Sequence, residues 1–261
     1  MKIIHLSDIH IGKSNNKKRF SKIINWIIEN KSDHEAEVVI LTGDIVDDGS
    51  LGQYREAQSQ IKKLRSAGIE VMSAPGNHDY GTNGIVENWD CVERFKKYIS
   101  GNVDYPNMEI VGGCAFIMLD SMLQEMKDYE LWGAQGELGG QQLSELDRIL
   151  DDIEESHADL KVVVALHHHP FYYNYFLKLR DDDLLKKVIM DESRGDSRID
   201  CLLFGHKHTE KRFSGESSKE SKYNIGVIYA SGSSTERTDE GELIVPIIDL
   251  IENSVSRTKI A

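Results

Sequence analysis

Five times along this chain an apolar run ends in a short cluster of histidine, aspartate or asparagine. In the clearest case Ile69 to Ala74 leads through Pro75-Gly76 into Asn77-His78-Asp79. The other four are Leu6-Ser7-Asp8-Ile9-His10, Leu41-Thr42-Gly43-Asp44, Leu166-His167-His168-His169-Pro170 and Phe204-Gly205-His206-Lys207-His208. Most of the ten histidines lie in these clusters. A single cluster of this kind reads as a turn. Five in succession, each at a strand end, constrain the fold: in open α/β sheets the carboxyl ends of strands are where ligands bind.

The segments between the clusters supply the scaffold. Lys2 to Ser7, Val38 to Leu41 and Ile69 to Ala74 read as strands, and their continuous apolar character suits sheets covered on both faces. Lys17 to Asn30 carries Phe20, Ile23, Ile24, Ile27 and Ile28 at helical spacing, and Gln53 to Ser66 is similarly amphipathic. This βαβαβ order predicts a parallel sheet with right-handed crossovers. Further on, Trp89 to Ile99, Gln141 to Glu155 and Asp181 to Met190 read as helices. Cys114 to Leu119, Lys161 to Leu166, Asp200 to Phe204, Ile225 to Ala230 and Leu243 to Ile251 read as strands. Asp181-Asp182-Asp183 is expected to cap a helix N-terminus. Ser121 to Gly140 reads as a surface excursion and Ser214 to Lys222 as a polar hairpin tip. With no repeat or linker, residues 1–261 are expected to form one domain.

A formal net charge of −13 argues against a duplex nucleic-acid surface, which requires lysine and arginine. An acidic protein acting on an anionic substrate needs a cation between the two, so metals are expected. Cys91, Cys114 and Cys201 are scattered and read as free thiols in a reducing compartment. Met1 to Leu6 enters a strand directly and no apolar run is of bilayer length, so a cytoplasmic protein without a membrane partner is expected.

The clusters offer carboxylate, amide and imidazole ligands without thiolates, a set suited to Mn, Fe, Zn or Ni. Asp8 and His10 stand at i and i+2, as do His206 and His208, which on extended backbone puts each pair on one side. The Asp44 carboxylate can bridge two ions. Seven candidate ligands exceed the needs of one ion and suit a pair about 3.5–4 Å apart. Such a pair generates hydroxide near neutral pH and neutralises charge as a phosphate ester is attacked. His78, beside Asn77, is the candidate general acid for the leaving alkoxide. His5, inside its strand, reads as structural. Of His167, His168 and His169, alternation allows one or two to face the ions. The aromatic run Phe171 to Phe176 lines a substrate pocket or packs on the adjacent helix; the sequence leaves both open.

The combination Asp8-Ile9-His10, Gly43-Asp44, Gly76-Asn77-His78-Asp79, His168-His169-Pro170 and Gly205-His206-Lys207-His208 resembles the calcineurin-like metallophosphoesterases. The resemblance spans nearly the whole chain. It implies a four-layer α-β-β-α sandwich of two mixed sheets flanked by helices, with the metal site at the carboxyl ends of the strands, in place of a plain parallel sheet. It implies one ion on Asp8, His10, Asp44 and His208 and a second on Asp44, Asn77, His168 and His206. His168 is chosen because the family's ligand stands two residues before the proline. By the same resemblance His78 is the proton donor and Asp47 orients it.

Where the family's protein phosphatases place an arginine after that aspartate, this chain has Asp48, which disfavours a dianionic monoester. The segment is more similar to the bacterial class III cyclic-nucleotide phosphodiesterases, as is the triple histidine before Pro170. The leading expectation is a dinuclear-metal phosphodiesterase acting on a small diester of the cyclic-nucleotide kind. A broad phosphomonoesterase is the alternative, a nuclease ranks third, and a non-catalytic metal-binding scaffold is the alternative from another class. The scaffold is disfavoured because no ligand position is lost.

Overall fold

The computed structural model describes residues 1–82, 86–122, 135–170, 177–191, 195–213 and 223–260. The aromatic run 171–176, the hairpin tip 214–222 and most of the excursion between 121 and 140 lie outside them. The first half follows the expected order: β1 (Lys2–Leu6), α1 (Asn16–Glu29), β2 (Ala36–Thr42), α2 (Leu51–Ser66) and β3 (Glu70–Ala74). A single turn, α3 (Asn77–Tyr80), and α4 (Trp89–Phe95) come next, the latter running into a π-helical turn at Lys96–Ser100. The second half contains β4 (Asn107–Val111), β5 (Cys114–Met118), α5 (Gly140–Ser156), β6 (Lys161–Ala165), α6 (Asp182–Ile189) and β7 (Cys201–Phe204). It closes with β8 (Lys211–Phe213), β9 (Val227–Ala230), β10 (Leu243–Asp249) and β11 (Ser254–Ile260).

These strands form two mixed sheets, ordered β11-β10-β1-β2-β3 and β8-β9-β7-β6-β5-β4. Each has a parallel centre, β1-β2-β3 in one and β5-β6-β7-β9 in the other, with antiparallel strands added at the edges. The architecture is therefore two mixed sheets between helical layers, as the resemblance implied, and the plain parallel sheet read from the first half alone is superseded.

Alternation along the strands explains the layering. Ile3, Val38, Ile40, Phe116, Val163, Ala165 and Leu203 point into the space between the sheets. Their neighbours Ile4, Val39 and Leu41 pack against Phe20, Ile23, Ile24 and Ile27 of α1. Val162 and Val164 pack against Leu146, Leu150 and Ile153 of α5. A strand buried on both faces has no polar period, which is why the central strands read as continuous apolar runs. At a full buried side chain worth ~1.5–3 kcal/mol, these three layers hold the strand ends in fixed relation.

Asp181 stands at the N-cap position of α6 with Asp182 and Asp183 in the first turn, as expected of partners for the helix dipole, but its side chain is engaged elsewhere. Its carboxylate makes no capping hydrogen bond to α6. It accepts the N–H groups of Leu138 and Gly139 instead, at 3.1 and 2.8 Å, and so fastens the start of α5 to α6.

Candidate metal centre at the carboxyl ends of the strands

The loops after β1 and β2 run side by side, joined by backbone bonds from Asp8 N–H to the Gly43 carbonyl (3.1 Å) and from His10 N–H to the Asp44 carbonyl (2.9 Å). The loop after β7 joins them through His206 N–H, which donates to Asp8 Oδ2 at 3.0 Å. The loop after β9 supports the first from behind: Ser233 Oγ donates to the Asp8 carbonyl and Thr235 Oγ1 to the Ile9 carbonyl. Both sheets thus contribute to one cluster.

Its backbone is unusual. Asp8, His10, Asp44, His206 and His208 all have positive φ, between 50° and 74°. Non-glycine residues seldom adopt this left-handed region, and such conformations concentrate at functional sites where surrounding contacts hold them. The pairs Asp8/His10 and His206/His208 therefore meet through tight turns and not, as their spacing suggested, through the pleat of an extended strand. Close approach also restricts the glycines. A Cβ on Gly43, at φ +79°, would lie 2.6 Å from both the Gly76 nitrogen and His167 Nδ1.

Two groups of donor atoms share Asp44. In the first, Asp8, His10, Asp44 and His208 converge. His10 Nε2 lies 3.7 Å from Asp44 Oδ2 and 3.0 Å from His208 Nε2, and His208 Nε2 lies 3.3 Å from Asp8 Oδ1. In the second, His167 Nε2 lies 3.5 Å from Asp44 Oδ2, 3.2 Å from Asn77 Oδ1 and 3.1 Å from His206 Nδ1. Asp44 Oδ2 thus faces both groups, while its Oδ1 accepts the His78 N–H at 2.9 Å.

His167, and not His168, meets Asp44 and Asn77. Its Nδ1 is directed to the Thr42 carbonyl at 2.7 Å, which turns Nε2 inward. His168 Nδ1 instead pairs with Ser121 Oγ at 2.8 Å, and its ring packs 4.6 Å from that of His206. His169 packs edge-on to Phe204 and Phe213. Strand parity carried the signal: Val163 and Ala165 face the space between the sheets, and His167 is the next residue in that register. His168, the residue counted back from Pro170, converges with His167 and His206 in a further group of donor atoms able to hold an ion.

The His78 Nδ1 nitrogen lies 2.7 Å from the Asp47 backbone carbonyl, and the ring stands perpendicular to His10 with centroids 4.5 Å apart. The Asp47 carboxylate is 3.1 Å from His10 Nδ1 and 3.7 Å from His78 Nδ1. Asp79 points away from the cluster. Its Oδ1 accepts Ile45 and Val46 N–H, and its Oδ2 accepts Gly76 N–H, so it staples the loop after β2 to the turn after β3. Sequence reasoning alone does not find this role. His5 bonds Thr42 Oγ1 at 2.8 Å inside the sheet, a structural position.

Charge in the cluster is divided: the carboxylates favour protonated imidazoles, while burial and neighbouring imidazoles oppose them. Burial works against a charged His167, yet the Asp44 carboxylate pushes its pKa up to about 9. Burial, followed by the charge of His167, brings His206 down to about 3. The Asp8 carboxylate beside His208 raises it. Burial and the nearby Asp44 raise Asp79 to about 7, against the pull of its backbone N–H donors. Asp8 Oδ1 is fully buried and accepts no hydrogen bond among the described residues. A buried carboxylate oxygen without a donor, oxygen and imidazole atoms converging on it, and three cysteines buried elsewhere fit divalent cations of the Mn, Fe, Zn or Ni type. No helix among the described residues is long and apolar enough to cross a membrane.

Comparison with known proteins agrees with this geometry. The chain is 25% identical over 221 residues to a probable cyclic nucleotide phosphodiesterase of Xenorhabdus bovienii, covering 81% of this chain and 80% of the relative. It is 29% identical over 179 residues to a probable glycerophosphodiester phosphodiesterase of Arcobacter nitrofigilis, covering 65% of this chain and 58% of that protein. The fold matches the crystal structure of a dimetal phosphatase from Danio rerio with a TM-score of 0.68 at 15% identity, covering 99% of this chain and 95% of that one. Residues 1–210 match the family model described as calcineurin-like phosphoesterase. The chain therefore belongs to the calcineurin-like phosphoesterase family, metal-dependent phosphoester hydrolases built around a dinuclear metal centre.

Proposed function

We propose that this protein is a phosphodiesterase acting on a small diester, with cyclic nucleotides as the substrate class. In this reading Asp8, His10, Asp44 and His208 hold one cation and Asp44, Asn77, His167 and His206 hold the other. The observation that carries it is Asp44 Oδ2, within 3.7 Å of His10 Nε2 and 3.5 Å of His167 Nε2, where one carboxylate oxygen can serve both groups. Bound there, two cations supply an activated water and a counter-charge for the phosphate oxygens.

The protein's own residues handle the leaving group. As the bond between phosphorus and the departing oxygen breaks, that oxygen takes up negative charge and needs a proton. With Nδ1–H donated to the Asp47 carbonyl, a protonated His78 presents its second proton on Nε2. The Asp44 bond to the His78 N–H fixes that residue against the metal-bearing loop.

Charge around the site supports a diester. Asp48 occupies the sequence position at which the family's protein phosphatases carry an arginine, and its carboxylate accepts the Ser50 N–H at 3.0 Å. Lys13, a nearby cation, sits 3.5 Å from the Asp47 carboxylate and is partly neutralised by it. A monoanionic diester demands less compensating charge than a monoester dianion. The names of the Xenorhabdus and Arcobacter relatives, both diesterases, point the same way. The test is Mn²⁺-dependent turnover of bis-p-nitrophenyl phosphate against p-nitrophenyl phosphate, followed by 2′,3′- and 3′,5′-cyclic nucleotides. The diester is expected to have the larger kcat/KM by at least about tenfold, a difference of ~1.4 kcal/mol in transition-state binding. Faster monoester turnover would overturn the reading.

A further inference from the structure

We propose that the Asp47 side chain is a positioning residue for the metal ligand His10, and that His78 is held by the Asp47 backbone instead. The inference rests on the reading of the cluster as a two-cation site. Asp47 Oδ1 lies 3.1 Å from His10 Nδ1, within hydrogen-bond reach, and 3.7 Å from His78 Nδ1, beyond it. His78 Nδ1 has its own acceptor at 2.7 Å in the Asp47 carbonyl. The two roles that one aspartate could play are thus divided between its main chain and its side chain.

The division has a chemical consequence for His10. A neutral imidazole carries one proton. A carboxylate on Nδ1 keeps that proton there, leaving the Nε2 lone pair toward Asp44 and His208. His10 also needs support because its backbone is left-handed at φ 50°. Surrounding hydrogen bonds fix Asp47 beside it. The Asp47 N–H bonds the Ile11 carbonyl and Gln53 Oε1, and Ile11 N–H bonds the Ile45 carbonyl. Lys13 Nζ reaches the same Oδ1 at 3.5 Å. The carboxylate therefore sits among His10, Lys13 and His78, in hydrogen-bond contact with the first.

Asp47→Asn keeps the side-chain volume, the backbone contacts and a carbonyl acceptor for His10, and removes the charge. Asp47→Ala removes the acceptor too. Both are made in the wild-type chain and in His78→Ala, and the two stepwise Mn²⁺ affinities are measured by calorimetry. The Co²⁺ absorption spectrum serves as a second readout. Partners of ligating histidines are typically worth 10–100-fold in metal affinity. One equivalent is expected to weaken by about that factor, more in Asp47→Ala than in Asp47→Asn. The other should stay within about threefold, with one set of Co²⁺ bands altered. The same loss should appear in the His78→Ala background. If both affinities stay within about threefold in every variant, while kcat falls only when His78 is present, the carboxylate acts through His78 and the inference is overturned. Failure of the underlying reading looks different: wild-type protein that binds fewer than two equivalents, or His10→Ala that retains both at full affinity, overturns the metal site and this inference with it. If Asp47→Ala does not fold, Asp47→Asn alone decides.

Discussion

His78 is where two roles can be separated by chemistry. Its ring is anchored through Nδ1 to a backbone carbonyl, and it stands beside the metal-ligand candidates without belonging to either group that shares Asp44. His78→Ala should therefore keep its metals while losing the proton donor. General acid catalysis contributes about 10²–10⁴-fold, and a loss of that size is expected for a diester with a ribose alkoxide leaving group. The loss should shrink for p-nitrophenolate, which departs with little need of a proton. Comparing kcat on both substrates, with metal content determined in parallel, checks this. Equal losses would assign His78 to phosphate binding, and loss of metal would make it part of the metal shell. The position of His78 was legible from the G-N-H-D motif. The partner of its Nδ1 was not, because a motif names side chains and the partner is a main-chain carbonyl.

Among the elements, the loop after β2 and the turn after β3 matter most, since they carry Asp44, Asn77 and His78. Asp79 joins them by accepting three buried N–H groups, and the Tyr54 hydroxyl of α2 donates to the Asp79 backbone carbonyl. Asp79→Ala leaves those three donors without an acceptor. At about 1–3 kcal/mol for each unmet buried group, a loss of roughly 3 kcal/mol or more is expected, read as a lower urea midpoint. Relief of the buried charge beside Asp44 offsets part of this, so an unchanged midpoint would mean the staple contributes little. The edge strands β4, β8 and β11 did not register in the sequence. They are short or half-exposed, with Lys211, Arg212, Ser254, Arg257 and Lys259 facing water, so the apolar alternation that reveals a strand is diluted.

At the scale of the whole molecule, the two sheets must be packed for the site to exist: Asp8, His10, Asp44 and Asn77 follow strands of one, and His167, His206 and His208 follow strands of the other. Acid should loosen that packing through His5, which is fully buried in β1 beside Tyr229. Burial brings its pKa down to about 3 from an ordinary 6.5. The unfolded chain takes up a proton below pH 6.5 and the folded chain does not until near pH 3. The contribution is therefore complete above pH 6.5 and is lost as pH falls toward 3. Between pH 7.5 and 5.5 this amounts to about 1.4 kcal/mol. Urea unfolding of wild type and His5→Gln at the two pH values should show a smaller pH dependence in the variant by about that amount. An equal dependence in both would place the acid sensitivity elsewhere.

The sequence by itself determined the central strands, the main helices and the five polar clusters that end those strands. Burial imposes a period on apolar residues, and ligand chemistry imposes residue types, so both are written along the chain. It did not determine the left-handed backbone at five of the clustered residues, because Asp and His at positive φ look no different in sequence from Asp and His elsewhere. Nor did it determine which of three consecutive histidines meets Asp44, or which imidazole the Asp47 carboxylate holds. Those were decided by the tertiary structure: each depends on where a side chain from one sheet stops against a loop from another part of the chain, a distance that neither periodicity nor motif spacing records.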